Sequence, residues 1–163
     1  MKRWVYLLIA ALVAPLLQAT NLTWDIDSGT VGNQDGSGTW TNGAGNWNTG
    51  AGNAVWSNAT PDNATLLGTV GGTITLGGNI TAGSVTVNGT QPYILSGAGL
   101  TLATGTLYIP LNRLTIQNGV TATGNIRVGN DASNTGKLVI AGGTVSTPQL
   151  LVGEAASRNG FVE

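Results

Sequence analysis

Two stretches of this chain repeat one another: IRVGNDASNTGKLVI, from Ile126 to Ile140, and LLVGEAASRNGFVE, from Leu150 to Glu163. At an offset of 24 residues, Val128 and Gly129 return as Val152 and Gly153. Ala132 and Ser133 return as Ala156 and Ser157, and Gly136 returns as Gly160. Self-similarity at a fixed spacing of this length is the mark of a solenoid, in which each repeat is one supersecondary unit stacked on the next. No other feature of the sequence restricts the fold as much.

The repeat extends upstream in weaker form. Four rungs can be cut, beginning at Gly72, Pro92, Asn112 and Gly136, so that the starts lie 20, 20 and 24 residues apart. Each holds an alternating apolar pair, a turn containing Gly, one apolar residue, a short polar link and a second alternating pair. In the third rung these are Leu114 and Ile116, then Val120, then Ile126 and Val128. In the fourth they are Leu138 and Ile140, then Val145, then Leu150 and Val152. Alternation over such short runs is the strand signal. The few apolar side chains of one rung do not offset the entropy of ordering its backbone. Stacking makes the apolar columns continuous and adds ladder hydrogen bonds. With strands and no helical period outside the first residues, the expected fold is all-β, a parallel β-helix of rungs about 20–24 residues long. Outward Thr and Asn positions are placed to form ladders between coils. An antiparallel β-sandwich also uses short strands with Gly turns, but it does not require identity at a fixed offset.

The chain divides by composition. Residues 1–19 read as a Sec-type signal peptide: Lys2 and Arg3, then the apolar run Trp4 to Leu17, then the small residue Ala19. Leu17 stands where a small residue is preferred, and the alternative is an uncleaved N-terminal anchor. Residues 20–70 form a segment rich in Gly, Asn and Thr that carries Trp24, Trp40, Trp47 and Trp56. It is expected to be a β cap over the solenoid, whose repeats occupy 71–163 and stop in mid-unit. Trp40, Trp47 and Trp56 are candidate glycan-binding residues, because exposed aromatic rings stack on sugars. The competing role is packing, since the open end of a solenoid needs covering and Trp supplies large apolar area.

Charge and residue counts narrow the chemistry. Without the leader the chain keeps four basic and seven acidic residues, a net charge of about −3, which does not attract nucleic acid. It contains no Cys and no His, so disulfides and the commonest general base are absent. Asp25 and Asp27 are the only close acidic pair and would face one side of a strand. They make a poor calcium loop, because Gly29 occupies a position where an oxygen ligand is needed. Asp35 precedes Gly36 and reads as a turn residue. Arg127 becomes Leu151 one repeat later, and the basic residues read as a solvated face rather than a column. No catalytic, cofactor-binding or metal-ligating residue is assigned.

The residues VGNDASNTGKLVIAGGTVS and LLVGEAASRNGFVE resemble the repeat shared by type V secretion (autotransporter) passengers and PEP-CTERM-associated surface proteins. The earlier stretch LTWDIDSGTVGNQDGSGTWTNGAGNWNTGAGNAVWSN is similar to the opening of large bacterial proteins with autotransporter-associated β-strand repeats. The resemblance implies a non-catalytic exported protein of a Gram-negative bacterium, a passenger or stalk at the cell surface that contacts surface polysaccharide or other cells. Alternatives are a carbohydrate-binding module using the Trp segment, or part of a β-helical polysaccharide-degrading enzyme. The expected partners are the Sec machinery and, through an open C-terminal edge, further copies of the chain.

Overall fold

The computed structural model describes residues 18–27, 29–129, 135–153 and 159–163. The expected leader therefore lies almost wholly outside the described residues, as do the repeated pairs Ala132–Ser133 and Ala156–Ser157. Fifteen strands and no helix make up the described chain. They are β1 (Asn21–Trp24), β2 (Gly38–Trp40), β3 (Trp47–Asn48), β4 (Asn53–Ala54), β5 (Asn63–Leu66), β6 (Gly72–Leu76), β7 (Ile80–Val87) and β8 (Tyr93–Ser96). There follow β9 (Thr101–Ile109), β10 (Arg113–Gln117), β11 (Thr121–Val128), β12 (Thr135–Ala141), β13 (Thr144–Ser146), β14 (Leu150–Val152) and β15 (Asn159–Val162).

The chain winds between two sheets. One has the order β13-β11-β9-β7-β5-β1-β3-β4, with β14 also paired to β11. The other has the order β15-β12-β10-β8-β6-β2. From β5 to β13 successive strands alternate between the sheets, and each pairs in parallel with the strand one coil away. The result is a parallel β-solenoid of about four turns. An antiparallel sandwich is incompatible with these ladders.

The expected columns are present. Ile126 is in register with Leu150, and Val128 with Val152. Gly136 stands in register with Gly160. Inward positions build a continuous core: Leu22, Ala64, Val85, Leu107 and Ile126 form one column, and Tyr93, Leu114 and Leu138 another. Gly129 and Gly153 follow β11 and β14 with φ of 64° and 59°, the left-handed corner that glycine takes at least cost. The amide of Gly153 donates to the carbonyl of Val128 at 3.0 Å, so the corner itself is tied to the coil below.

Spacing differs from the expected rungs in two intervals. Gly72 pairs with Tyr93, and Tyr93 with Leu114, so the first two intervals are 21 residues and not 20. Between β9 and β11 the register slips between Thr123 and Asn125. Gly124 stands there with φ of 116° and takes up the missing residue. Pro148, which has no N–H for a ladder, separates β13 from β14, although both continue on β11.

Outward positions cross-link coils. Asn63 donates to the Asn21 side chain at 3.0 Å and accepts from Ser84 at 2.9 Å. At another corner Asn58 accepts from the Thr81 amide at 3.0 Å and donates to the Asn79 carbonyl at 2.9 Å. The Asn79 side chain then accepts from the Thr101 amide at 2.9 Å. Side-chain amides thus replace backbone partners where the ladders stop.

Candidate functional site

The segment before residue 70 is built into the same sheets. β1 pairs in parallel with β5, and β2 with β6. Beyond β1 the direction reverses: β3 runs antiparallel to β1, and β4 antiparallel to β3. This hairpin occupies the edge of its sheet, and it carries Trp47 opposite Trp24.

All four tryptophans of the segment are buried. Trp47 lies 5.2 Å from Trp24 and 4.8 Å from Trp40, both edge to face, and 4.7 Å from Trp56. Trp40 and Trp56 also meet edge to face at 4.7 Å. The indole N–H of Trp24 donates to the Gly36 carbonyl, and that of Trp56 to the Asn58 side chain. Edge-to-face pairs add specific attraction to their large apolar area. Trp40, Trp47 and Trp56, the candidate sugar platforms, present no ring face to solvent here. Their rings close the first coil.

The acidic residues serve the same end of the molecule. β1 stops at Trp24, so Asp25 and Asp27 do not share a strand face: Asp25 is buried and Asp27 exposed. The Asp25 carboxylate accepts from the amides of Asp27 and Gln34 at 3.1 and 3.3 Å, and from the Asn48 side chain at 3.3 Å. It latches the loop after β1 to the hairpin. Asp27 accepts from the Thr30 hydroxyl and the Gly29 amide, and these two bonds hold its carboxyl below the ordinary range.

Asp35 does more than shape a turn. One carboxylate oxygen accepts from the amides of Val70 and Gly71, both at 2.7 Å, and from the Tyr93 hydroxyl at 3.3 Å. Partial burial raises the carboxyl, but the amides of Gly71, Val70 and Thr69 and the Tyr93 hydroxyl outweigh it and hold the group below its usual range. Burial, then the Asp35 charge beside it, pushes the Tyr93 phenol well above its usual value. Three consecutive coils meet at this node. Nothing in the order of residues links Asp35 to Tyr93, 58 positions later, so only the fold reveals it.

Among the described residues no group of three His, Cys, Asp or Glu side chains is placed to hold a metal ion. Two shallow hollows open on the surface of the described residues. One, of about 400 Å³, lies between the loop Gly29–Asn33 and the β3–β4 hairpin. The other, of about 590 Å³, opens beside Arg113 and Lys137. These two cations are in register on adjacent strands. Their spacing equals the 24-residue repeat and is legible in the sequence; the same offset relates Arg127 to Leu151. That pairing is also present, and there the positive charge is not repeated.

This architecture, a parallel solenoid closed by an aromatic cluster at one end, can be set beside known proteins. Over 154 aligned residues, 85% of this chain, it is 34% identical to the Adhesin BmaC autotransporter of Brucella suis biovar 1 (strain 1330). The chain is related to an autotransporter. It spans 4% of the length of that protein. No family model matches the chain, and no solved structure matches it.

Proposed function

We propose that this chain is a segment of a non-catalytic, exported surface passenger of a Gram-negative bacterium, with an adhesive role. The observation that carries this reading is the likeness to a stretch of an autotransporter adhesin, found in a chain that folds as a parallel solenoid. A solenoid grows by adding coils without changing those already stacked, so it suits a projecting stalk with a repetitive polar face. Low charge and the Thr- and Asn-rich exterior fit such a face. The apolar leader fits export by the Sec machinery.

When this segment is produced by itself, its copies are proposed to associate through the edge formed by β14 and β15. There Leu150, Val152 and Val162 are each about 40% exposed, on strands with one neighbour in their sheets among the described residues. Open, weakly charged edges recruit other strands. Sedimentation across a concentration series should show association that Val152→Lys weakens; a monomer throughout would oppose it.

The functional reading is tested in cells producing the protein with and without residues 20–163. External protease should digest the protein on intact cells, and deletion should reduce adherence. Protection of the protein inside the cell, or unchanged adherence after the deletion, would refute the proposal.

A further inference from the structure

The hollow beside Arg113 and Lys137 is built from the edge of three coils. Gly89, Thr90 and Pro92 come from one, Leu111, Asn112 and Arg113 from the next, and Thr135 and Lys137 from the third. Because Leu114 pairs with Tyr93, the preceding residues Arg113 and Pro92 also stand side by side. Arg113 and Lys137 then project from neighbouring strands roughly 4.8 Å apart. Like charges directly opposite one another on a sheet repel. Lys137 is compensated by Glu163, whose carboxylate lies 2.6 Å from its ammonium. Arg113 has no carboxylate partner among the described residues and is exposed.

The floor is held rigidly. Asn112 adopts φ of 57°, the left-handed conformation that Asn tolerates better than most residues with a side chain. Its side-chain amide donates to the Thr90 carbonyl at 2.5 Å, and its oxygen accepts from the Arg113 amide at 2.9 Å. The backbone carrying Arg113 is thereby fixed to the coil below.

We propose that this groove binds the anionic group of an acidic polysaccharide, a uronate carboxylate or a sulfate ester, between Arg113 and Lys137. A guanidinium offers two parallel N–H donors that match either group. The Thr135 hydroxyl suits a sugar hydroxyl, the Thr90 hydroxyl, which donates to the Gly68 carbonyl at 3.2 Å, can still accept from one, and Pro92 and Leu111 offer apolar surface to the C–H face of a ring. The hollow is shallow and open, which suits a chain passing over it better than a small molecule enclosed by it. A general attraction for anions is not the cause, because the molecule without its leader is acidic. This inference adds a ligand class to the adhesive reading and rests on it. Glu163 competes for Lys137 and tunes the site.

The test measures binding of polygalacturonate, heparin and neutral dextran to the purified full chain by calorimetry, at low and moderate salt. Binding of either acidic polymer but not dextran is expected, weakening as salt rises. Polygalacturonate alone would identify the carboxylate as the ligand, heparin alone the sulfate. Arg113→Gln should weaken binding roughly ten- to a hundredfold, and Arg113→Lys should recover only part of it. Glu163→Gln should tighten binding several-fold by releasing Lys137. Circular dichroism of each variant confirms that the solenoid is intact. Unchanged binding by an intact Arg113→Gln/Lys137→Gln variant, absence of binding to both acidic polymers, or equal binding of duplex DNA would overturn the proposal. If the purified chain binds while cells producing it do not adhere, the groove stands and the adhesive reading falls.

Discussion

Single residues hold this fold where ladders cannot. Gly129 and Gly153 turn the same corner on successive coils, with φ near +60° in both. Gly129→Ala should cost about 1–2 kcal/mol, measured as a lower midpoint in urea unfolding. Equal stability of the variant would show that the corner relaxes without loss. Asp35 is a node of another kind, since one oxygen ties two amides and a phenol from later coils. Its carboxyl titrates lower in the folded chain than the unfolded value of about 3.9. Its contribution is therefore fully present above the unfolded value and is lost as pH falls through the folded one. Tyr93, shifted upward, behaves oppositely: its contribution is present below about pH 10 and fades as pH rises beyond it. Asp35→Asn should lose roughly 1 kcal/mol near neutrality, the value of charge assistance in a half-exposed network. The gap between parent and variant, followed by thermal melts, should stay level from pH 5 to 8 and close below about pH 4. A gap that persists at pH 3 would mean that the oxygen's geometry matters and its charge does not.

At the scale of elements, the sequence was legible where neighbouring coils copy one another. β10, β11, β12, β14 and β15 align as the repeat of Val128 with Val152 and Gly136 with Gly160 implies, because stacked coils place equivalent residues in one column. It was less legible where coils differ. β1 pairs with β5 across the whole Trp segment, from Asn21 to Asn63; the two strands share an N-x-T triplet in register, but the same triplet recurs elsewhere in this Asn- and Thr-rich chain and does not single the pair out. There the pairing is set by burial of the indoles, a property of the assembled end and not of any local period. The 20-residue spacing first read between Gly72 and Asn112 was one short per coil, since alternation alone is insensitive to an extra residue in a turn. The β3–β4 hairpin depends on one ring: Trp47 touches Trp24, Trp40 and Trp56. Trp47→Ala should cost about 3–5 kcal/mol and abolish the near-ultraviolet dichroism of the packed indoles. A variant with parent-like spectra and stability would show that the cluster does not close the coil.

For the molecule as a whole, two largely parallel sheets and an aromatic lid make a rod segment whose outer face is polar and on which a basic hollow spans three coils. That hollow could have been suspected from the repeat, because Arg113 and Lys137 are separated by the offset that relates Val128 to Val152. Its floor could not, because the contact of Asn112 with Thr90 depends on how one coil settles on another. The groove and the columns exist only if the coils stack in this register, and the chain contains no native cysteine to complicate a direct probe. Thr101 and Thr121 are in register on β9 and β11, partly exposed on the outer face. Parallel neighbours lie roughly 4.8 Å apart, within disulfide range, whereas Thr101 and Thr123 are roughly 8 Å apart and beyond it. Oxidation of a Thr101→Cys/Thr121→Cys variant should give an intramolecular disulfide rapidly and in high yield, while Thr101→Cys/Thr123→Cys should stay reduced under the same conditions. Cross-linking of the second pair in preference to the first, or of neither in a folded chain, would contradict the in-register solenoid.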